Sequence, residues 1–284
     1  MSEPATEKLQ KVLARHGFGS RRELEAWISD GRVSVNGKRA TLGDRVAPDD
    51  LIRVDGRRLA RGTSSRAPRV IRYHKPIGEV CTRSDPEGRR TVFEGLPKVY
   101  HGRWVAVGRL DVNTSGLLLF TDDGELANLL MHPGSSIERK YAVRVFGELE
   151  PGQLKELTEG VELDGQMHRF SRVEASGGEG RNRWYNVWLS EGRNREVRRL
   201  FEAQGVVVSR LIRVAFGVQE LGRRLRPGRW EEVQPAELNA IRESVGLVPL
   251  EAPRPKRRGR PSAKPTRSKS RPKRSVRTNR GAKP

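Results

Sequence analysis

Two short apolar runs near the middle of the chain predict strands that are buried on both faces. The runs are residues 104–107 and 117–120, and each has the length of a strand rather than of a helix. Residues 108–116 therefore form a loop that is held by core strands at both ends. The polar side chains of this loop belong to Arg109, Asp111, Asn113, Thr114 and Ser115. A carboxylate in so constrained a loop is well placed for chemistry.

After the second run, the apolar positions take up a helical spacing. They are Leu126, Leu129 and Leu130. Asp122 and Glu125 have the separation of a capping box, and Pro133 cannot continue a helix. We therefore predict a helix that begins at the capping box and ends before Pro133.

The first sixty residues predict a compact module of two helices and several short strands. Residues 8–15 have an amphipathic pattern, and Ser20 with Glu23 forms a capping box that opens a second helix. Apolar residues alternate at 33–35 and at 52–54, and each alternation is followed by a turn dipeptide, Asn-Gly or Asp-Gly. The pattern indicates helices packed on a few short strands.

Beyond residue 70, further strands and turns predict a larger domain. Arg139–Phe146 alternates with period two, which places Tyr141 on an apolar strand face. The letters SGGEG at 176–180 predict a turn, and a strongly strand-prone run follows at 184–189. Residues 209–216 predict one more strand.

The segment SEGRNREVRRLFEAQG predicts a helix with a candidate functional arginine. Its apolar face is formed by Val197, Leu200 and Phe201. Arg198 lies on the flank of this face, so its stem covers the core while its guanidinium reaches a neighbouring pocket. Arg195 and Arg199 point further outward, and a solvated helix face explains these two equally well.

The charge balance points to phosphates as the partner. The chain of 284 residues has 56 Lys and Arg against 35 Asp and Glu, a net charge of +21. Residues 251–284 carry 14 of the basic residues with one acidic residue, and are rich in Pro and Ser, so we predict a disordered cationic tail. The rest of the chain is basic as well.

Several classes of site are disfavoured by the composition. The single cysteine, Cys81, makes no internal disulfide, which suits a cytoplasmic protein, and the five histidines have no metal-ligand spacing. No run approaches the roughly 20 apolar residues of a membrane helix. No phosphate-binding or dinucleotide-binding fingerprint is found. We expect no metal, no cofactor and no membrane.

Two stretches of the sequence resemble one known family. The run GRLDVNTSGLLLFTDDGELANLLMHP at 108–133 resembles the signature segment of the ribosomal RNA pseudouridine synthases with an N-terminal S4 domain. The run EKLQKVLARHGFGSRRELEAWISDGRVSVNGKRA at 7–40 resembles the S4 RNA-binding domain itself. The resemblance covers residues 7 to about 245. It is greatest with the branch that modifies the large subunit.

The resemblance implies a fold class and a domain organisation. The fold is α+β, with a small S4 module and a larger catalytic domain built on a mixed, mainly antiparallel sheet. The expected divisions are 7–60 for the S4 domain, 61–69 for a linker, 70–250 for the catalytic domain and 251–284 for the tail. Basic residues near the start of the catalytic domain, at 74–97, either contact phosphates or are simply solvated.

The resemblance also assigns roles to particular residues. Asp111 takes the position of the catalytic aspartate, Tyr141 that of a tyrosine stacked on the target base, and Arg198 that of an arginine paired with the aspartate. Leu211 is the candidate for a residue that packs beneath the tyrosine and the base, and ordinary core packing is the alternative. Further substrate-binding candidates are Arg109, Asn113 and Thr114. The S4 module implies an RNA-binding surface, for which a merely solvated basic face is the alternative, with Lys8, Lys11, Arg15, Arg21, Arg22, Arg32 and Lys38.

The implied reaction is the isomerisation of one uridine in 23S rRNA, near the peptidyl-transferase centre, without cofactor. The partner is ribosomal RNA or the pre-ribosomal large subunit, and a cytoplasmic monomer is expected. Three alternatives remain open: the same chemistry on 16S rRNA, a non-catalytic assembly factor, and a glycosidase that releases free base. A glycosidase usually needs a second carboxylate, and the candidates Asp122 and Asp123 have the positions of helix caps.

Overall fold

The computed structural model describes residues 6–59, 67–99 and 102–251 of the chain. Within these ranges the fold is α+β, as predicted, with a small N-terminal module followed by a larger mixed sheet. Most of the predicted linker, and all but the first residue of the predicted tail, lie outside the described residues.

The N-terminal module packs two helices on short strands. Its elements are β1 (Glu7–Lys8), α1 (Leu9–Arg15), α2 (Arg21–Ser29), β2 (Val33–Val35), β3 (Lys38–Arg39), β4 (Arg45–Val46), β5 (Ile52–Val54) and β6 (Arg57–Arg58). Four strands form a sheet in the order β3-β2-β5-β6, and β1 pairs with β4. The predicted capping box opens α2, because the Ser20 hydroxyl accepts the Glu23 N–H at 3.1 Å and the Glu23 carboxylate accepts the Ser20 N–H at 2.6 Å.

The larger domain is built on a nine-stranded sheet. Its elements are β7 (Val70–Lys75), β8 (Val105–Val107), β9 (Ser115–Thr121), α3 (Gly124–Met131), a 3-10 turn (Pro133–Ser135), β10 (Arg139–Phe146), α4 (Pro151–Glu159), β11 (Val161–Leu163), β12 (Gln166–His168), β13 (Arg172–Glu179), β14 (Asn182–Leu189), α5 (Glu196–Ala203), β15 (Val207–Phe216), β16 (Gln219–Glu220), β17 (Trp230–Glu232) and α6 (Pro235–Glu243). Its main path is β13-β14-β10-β15-β9-β7-β17, while β8 pairs with β9 and β16 with β15.

The strand pairs of this sheet are antiparallel except for β9 with β15, so the sheet is mixed and mainly antiparallel, as predicted. At the parallel junction Gly116 lies opposite Arg213 with a φ of +111°. A Cβ atom at Gly116 would lie 2.2 Å from the Arg213 carbonyl oxygen. Only glycine therefore permits this close approach of the two strands.

Strand β9 is buried along its whole length, as its apolar run predicts. Leu118 and Phe120 belong to the apolar cluster that includes residues of α5, on one face of the sheet. Leu117 and Leu119 belong to a second cluster, which includes residues of α3 and α6 on the other face. Burying each such side chain contributes about 1.5–3 kcal/mol, so the strand that follows the loop 108–114 is firmly held.

Two local predictions are wrong in detail. Asp123, not Asp122, caps α3, because its carboxylate accepts the N–H groups of Glu125 and Leu126. Asp122 instead accepts the Arg69 N–H at 2.7 Å, a long-range contact that sequence spacing does not reveal. The turn predicted at SGGEG is displaced: the first four residues of the run lie within β13, where a register shift between Ala175 and Gly178 accommodates the glycines, and the turn itself falls at 180–181.

Membrane spans and metal clusters are both missing from the described ranges. None of the helices in 6–59, 67–99 and 102–251 has the length and apolar character to cross a bilayer. Over the same ranges, no three His, Cys, Asp or Glu residues are grouped so that they could hold a metal ion.

Candidate active site

The loop between β8 and β9 opens into a cavity of about 830 Å³. Asp111 is half-buried and lines this cavity. Its backbone carbonyl accepts the Thr114 N–H at 3.0 Å, which closes the loop into a turn. No described side chain or backbone group donates a hydrogen bond to the Asp111 carboxylate. That group is therefore available to a molecule that enters the cavity.

Lys75 supports the loop 108–114 from beneath. It ends β7 and is fully buried, and its Nζ donates to the carbonyl oxygens of Pro76 (3.0 Å), Asp111 (3.0 Å) and Thr114 (2.9 Å). The Val112 carbonyl lies a longer 3.5 Å away, so the three donors of the ammonium group are fully used by backbone carbonyls. Burial lowers the pKa of Lys75, and the nearby Asp111 charge partly opposes this.

Arg198 fixes the same loop from a second side. Its Nη2 donates to the Asn113 carbonyl at 2.8 Å and its Nη1 to the Val208 carbonyl at 3.0 Å, so it joins α5, the loop and β15. The direct ion pair with Asp111 that the resemblance implies is not formed, because these two carbonyls engage the guanidinium. Burial lowers the pKa of Arg198, while the Asp111 charge acts in the opposite direction.

Tyr141 and Leu211 form part of the cavity wall. Both line it, and both are buried, at 8% and 4% exposure. Tyr141 on β10 pairs in register with Arg213 on β15, and Leu211 lies two residues before that arginine. Residues two apart on a strand share a face, so the aromatic ring, the leucine and Arg213 lie together.

Arg139 and Glu196 hold a second loop against the cavity. Arg139 donates from Nη1 to the carbonyls of Ile137, Ser190 and Glu191. The Glu196 carboxylate accepts from the Arg193 N–H at 3.1 Å and lies 2.8 Å from Nδ1 of His168, and both members of that pair are about 5% exposed. The segment between β14 and α5 is therefore braced at both ends.

The cavity is rich in positive charge. Its basic residues are Arg89, Arg109, Arg139, Arg193, Arg195 and Arg213, and its acidic residues are Asp85, Asp111 and Glu196. Such an excess attracts a polyanion, and low-dielectric walls strengthen the attraction. The one cysteine also lines the cavity, and burial raises the pKa of the Cys81 thiol. A neutral thiol is a poor nucleophile, so Asp111 is the better candidate.

The sequence matches two protein-family models and many curated relatives. The model described as RNA pseudouridylate synthase matches residues 69–203, and the S4 domain model matches 7–52. A relative from Escherichia coli (strain K12) called "Ribosomal large subunit pseudouridine synthase B" is 58% identical over 247 residues, covering 86% of this chain and 85% of that protein. The chain belongs to the RNA pseudouridylate synthase family.

Other relatives of this pseudouridine synthase agree. A protein from Haemophilus influenzae with the same name is 56% identical over 244 residues, which cover 85% of this chain and 68% of that protein. A solved structure described as "Crystal structure of pseudouridylate synthase" superposes with a TM-score of 0.58 at 26% identity, covering 82% of this chain and 99% of that one. The predictions of family, fold and enzymatic activity are confirmed, and the enzyme isomerises uridine to pseudouridine in RNA.

The synthase brings together most, but not all, of the predicted site residues. Those that line the cavity are Arg109, Asp111, Thr114, Tyr141 and Leu211. Asn113 is exposed and contributes its backbone carbonyl to Arg198, so these two residues support the loop from behind. Arg195 and Arg199 form ion pairs with Glu202 (3.6 Å) and Asp164 (2.6 Å), as the solvated-helix alternative allows.

Sequence reasoning missed three residues of this site: Lys75, Arg139 and Arg213. For Lys75, both alternatives considered for the basic residues at 74–97 are wrong, because its amine is buried on carbonyls rather than solvated or open to phosphate. A weak signal existed, since Lys75 lies only two positions after the strand predicted at 70–73. Arg213 likewise interrupts an apolar strand pattern, which is unusual for a buried strand.

Proposed function

We propose that this enzyme acts on one uridine of 23S ribosomal RNA near the peptidyl-transferase centre. The name of the curated relatives supports the large-subunit RNA, and the match extends over most of their length. The substrate is then the ribosomal RNA or the pre-ribosomal large subunit. A monomer that works in the cytoplasm without cofactor or metal completes the proposal.

The observation that carries the mechanism is the half-buried Asp111 carboxylate, which faces the cavity without an internal hydrogen bond. We propose that it opens the bond between N1 of uracil and C1′ of ribose, as a nucleophile or as a base. The uracil then turns, C5 bonds to the same C1′, and the proton lost from C5 is balanced by one gained at N1. The reaction needs no redox partner or group donor.

Tyr141 and Leu211 are the proposed contacts for the extruded base. Removing a base from a stacked helix costs a few kcal/mol, and an aromatic ring regains part of it. The buried tyrosine ring at the cavity wall, with the leucine two positions from its register partner, suits this role. Arg198, Asn113 and Thr114 would maintain the loop around Asp111, and the exposed Arg109 would meet the RNA backbone at the rim.

The division of the chain into domains remains part of the proposal. It assigns 7–60 to S4-type RNA binding, 61–69 to a linker, 70–250 to catalysis and 251–284 to a cationic tail. The matched family ranges, 7–52 and 69–203, support the first and third of these. The tail would add affinity for RNA without sequence preference.

The proposed RNA-binding residues of the module fall into two groups. Lys11 and Arg15 both pair with Glu7, at 3.1 and 2.7 Å, while Arg32 pairs with Asp55 at 2.6 Å and covers Trp27. Of the seven candidates, four make no side-chain hydrogen bond or ion pair within the described residues: Lys8, Arg21, Arg22 and Lys38. This second group is therefore the stronger candidate for phosphate contacts.

Two of these free arginines lie beside a third one from the catalytic domain. Arg21, Arg22 and Arg103 line a cleft of about 510 Å³ in which five basic residues outnumber three acidic ones; the others are Lys11, Arg15, Asp122, Asp123 and Glu125. Arg103 is half-buried and makes no side-chain hydrogen bond or ion pair within the described ranges. Burial lowers the pKa of Arg103, the charge of Arg21 adds to this, and Glu23 opposes it. A phosphate group would relieve this repulsion, so we propose that an RNA backbone crosses here.

We expect the triple variant R21Q/R22Q/R103Q to bind its target RNA more weakly and with a lower salt dependence. Each lost phosphate contact lowers the slope of log K against log salt by about 0.7–0.9, so the slope should fall by about 2. Equilibrium binding at several salt concentrations measures it. The matched control R172Q/R183Q/R199Q changes three arginines that have acidic partners and do not line this cleft, and its slope should fall less. Equal slopes for the two triple variants would contradict the assignment.

The proposed target is tested by mapping pseudouridine. Purified enzyme is incubated with unmodified 23S and 16S rRNA, and carbodiimide adducts are detected as stops of reverse transcription. A single new stop in 23S rRNA is expected. A stop in 16S rRNA alone would overturn the target and retain the chemistry. Release of free uracil would indicate a glycosidase, and tight binding without any stop would indicate an assembly factor.

A further inference from the structure

Arg213 is a buried guanidinium in the active-site cavity that the catalytic roles above leave unused. It lies on β15 with only 2% of its surface exposed, and it lines the cavity. Tyr141 is its register partner on the neighbouring strand β10. Side chains directly opposite each other on adjacent strands point to the same face, so Arg213 lies beside the ring proposed to carry the base.

The hydrogen-bonding capacity of Arg213 is almost entirely unused. Its Nε donates to the Leu117 carbonyl at 2.7 Å, and its guanidinium lies 5.2 Å from the centre of the Phe216 ring. Nη2 is buried and has no partner, and within the described residues neither Nη nitrogen makes a hydrogen bond. An arginine has five N–H donors, and unpaired buried donors cost free energy, so an acceptor from outside the chain would stabilise this site.

The position of Arg213 narrows the chemistry of that acceptor. Nucleotides extruded from RNA enter a pocket base first, so phosphates stay near the rim. The exposed Arg109 lies at that rim, whereas Arg213 is buried deep on the sheet. A uracil ring offers two carbonyl oxygens on its polar edge. Arg139 also packs 5.2 Å from Phe216, but a guanidinium has no acceptor, so it cannot take a hydrogen bond from Arg213.

We propose that Arg213 donates a hydrogen bond to a ring carbonyl oxygen of the target uracil while the base lies against Tyr141. The role goes beyond the loop-holding arginine, Arg198, because Arg213 touches the substrate itself. It also gives a reason why a buried strand keeps an arginine at this position. The inference rests on the proposed function, since it requires that a uridine enters this cavity.

The test asks whether the loss of the Arg213 guanidinium and the loss of one uracil carbonyl oxygen have non-additive effects on the rate of conversion. Single-turnover rates are measured for wild type and R213K on a short RNA with uridine, 2-thiouridine or 4-thiouridine at the target position. Lysine keeps the charge and a donor for the Leu117 carbonyl but loses the forked Nη donors. We expect R213K to slow uridine conversion about 10- to 100-fold. One thio substitution should slow wild type strongly and R213K little.

Two controls separate the possible failures. R210K changes an exposed arginine on the same strand and should leave all rates near those of wild type. RNA with a methylphosphonate on either side of the target removes one phosphate charge. Coupling of R213K to the methylphosphonate would assign Arg213 to phosphate and overturn the proposal. If R213K slowed the conversion of all three bases equally, Arg213 would have only a structural role, and the proposal would also be overturned.

The outcome is distinguishable from a failure of the proposed function. If the wild-type enzyme converts no uridine in 23S or 16S rRNA, the proposed function is wrong, and the inference about Arg213 falls with it. If wild type converts uridine and no thio substitution couples to R213K, the inference alone fails. Thermal unfolding of R213K confirms that the variant is folded before rates are compared.

Discussion

Asp111→Ala is expected to abolish pseudouridine formation while leaving RNA affinity within about twofold of wild type. The carboxylate is the reacting group in the proposed mechanism, and losing such a group typically costs about 10³-fold or more in rate. RNA affinity is spread over many phosphate contacts, so one buried carboxylate contributes little to it. Carbodiimide mapping measures the turnover, and filter or gel-shift titration measures the affinity.

A matched control for Asp111 is another carboxylate of the same cavity. Asp85 also lines it, and its oxygens accept from the Arg89 N–H and side chain at 2.8–2.9 Å. D85N removes the charge but keeps one acceptor oxygen at this position, and it should retain most of the activity. An inactive D85N together with a partly active D111A would refute the catalytic assignment. Loss of RNA binding in D111A would refute it as well.

Lys75→Met is expected to destabilise the enzyme by about 3–5 kcal/mol and to reduce the rate at least tenfold. Methionine fills a similar volume but leaves the carbonyls of Asp111 and Thr114 buried without donors, at about 1–3 kcal/mol each, and removes charge-assisted hydrogen bonds. Denaturant unfolding gives the change in stability. Single-turnover kinetics under native conditions gives the rate of the folded fraction.

A second readout separates positioning from general instability for Lys75. The Thr114 amide donates to Asp111 in the turn that Lys75 holds, so its hydrogen exchange should accelerate more than that of the buried β9 amides. The control K140M, on the strand β10, loses only a cation–π contact with Trp188 at 4.6 Å and should lose about 1 kcal/mol at most. Uniform acceleration of exchange throughout the sheet would contradict a loop-specific role.

The strands and helices that frame the site were predictable because the spacing of apolar residues within a short segment is enough to indicate each of them. The run at 117–120 predicts a strand buried on both faces, and β9 is one. The boundaries of Arg139–Phe146 agree with those of β10. The cap of α3 was misplaced by one residue because Asp122 is engaged by Arg69, which lies 53 residues away along the chain.

The supports of the site were less predictable than its framework. Lys75 contacts carbonyls 36 to 39 residues away, and backbone carbonyls have no signature in a sequence. Arg198 was placed at the site through the family resemblance, yet its partners are the carbonyls of Asn113 and Val208. Residue types alone suggest a charge pair, whereas geometry decides which oxygen is within reach.

The parallel pairing of β9 with β15 in the large sheet affects how the enzyme folds during its synthesis. Ser115, which begins β9 directly after the loop 108–114, lies beside Ile212 of β15, so this strand pairs with a partner almost one hundred residues later in the chain. Loop closure over such a span is slow, and contacts of this kind form late in folding. While the ribosome is still translating, β9 therefore has an apolar flank without its neighbour. Phe216 is the last lining residue of the cavity along the chain, so we expect a nascent chain that ends before it to be unable to modify RNA.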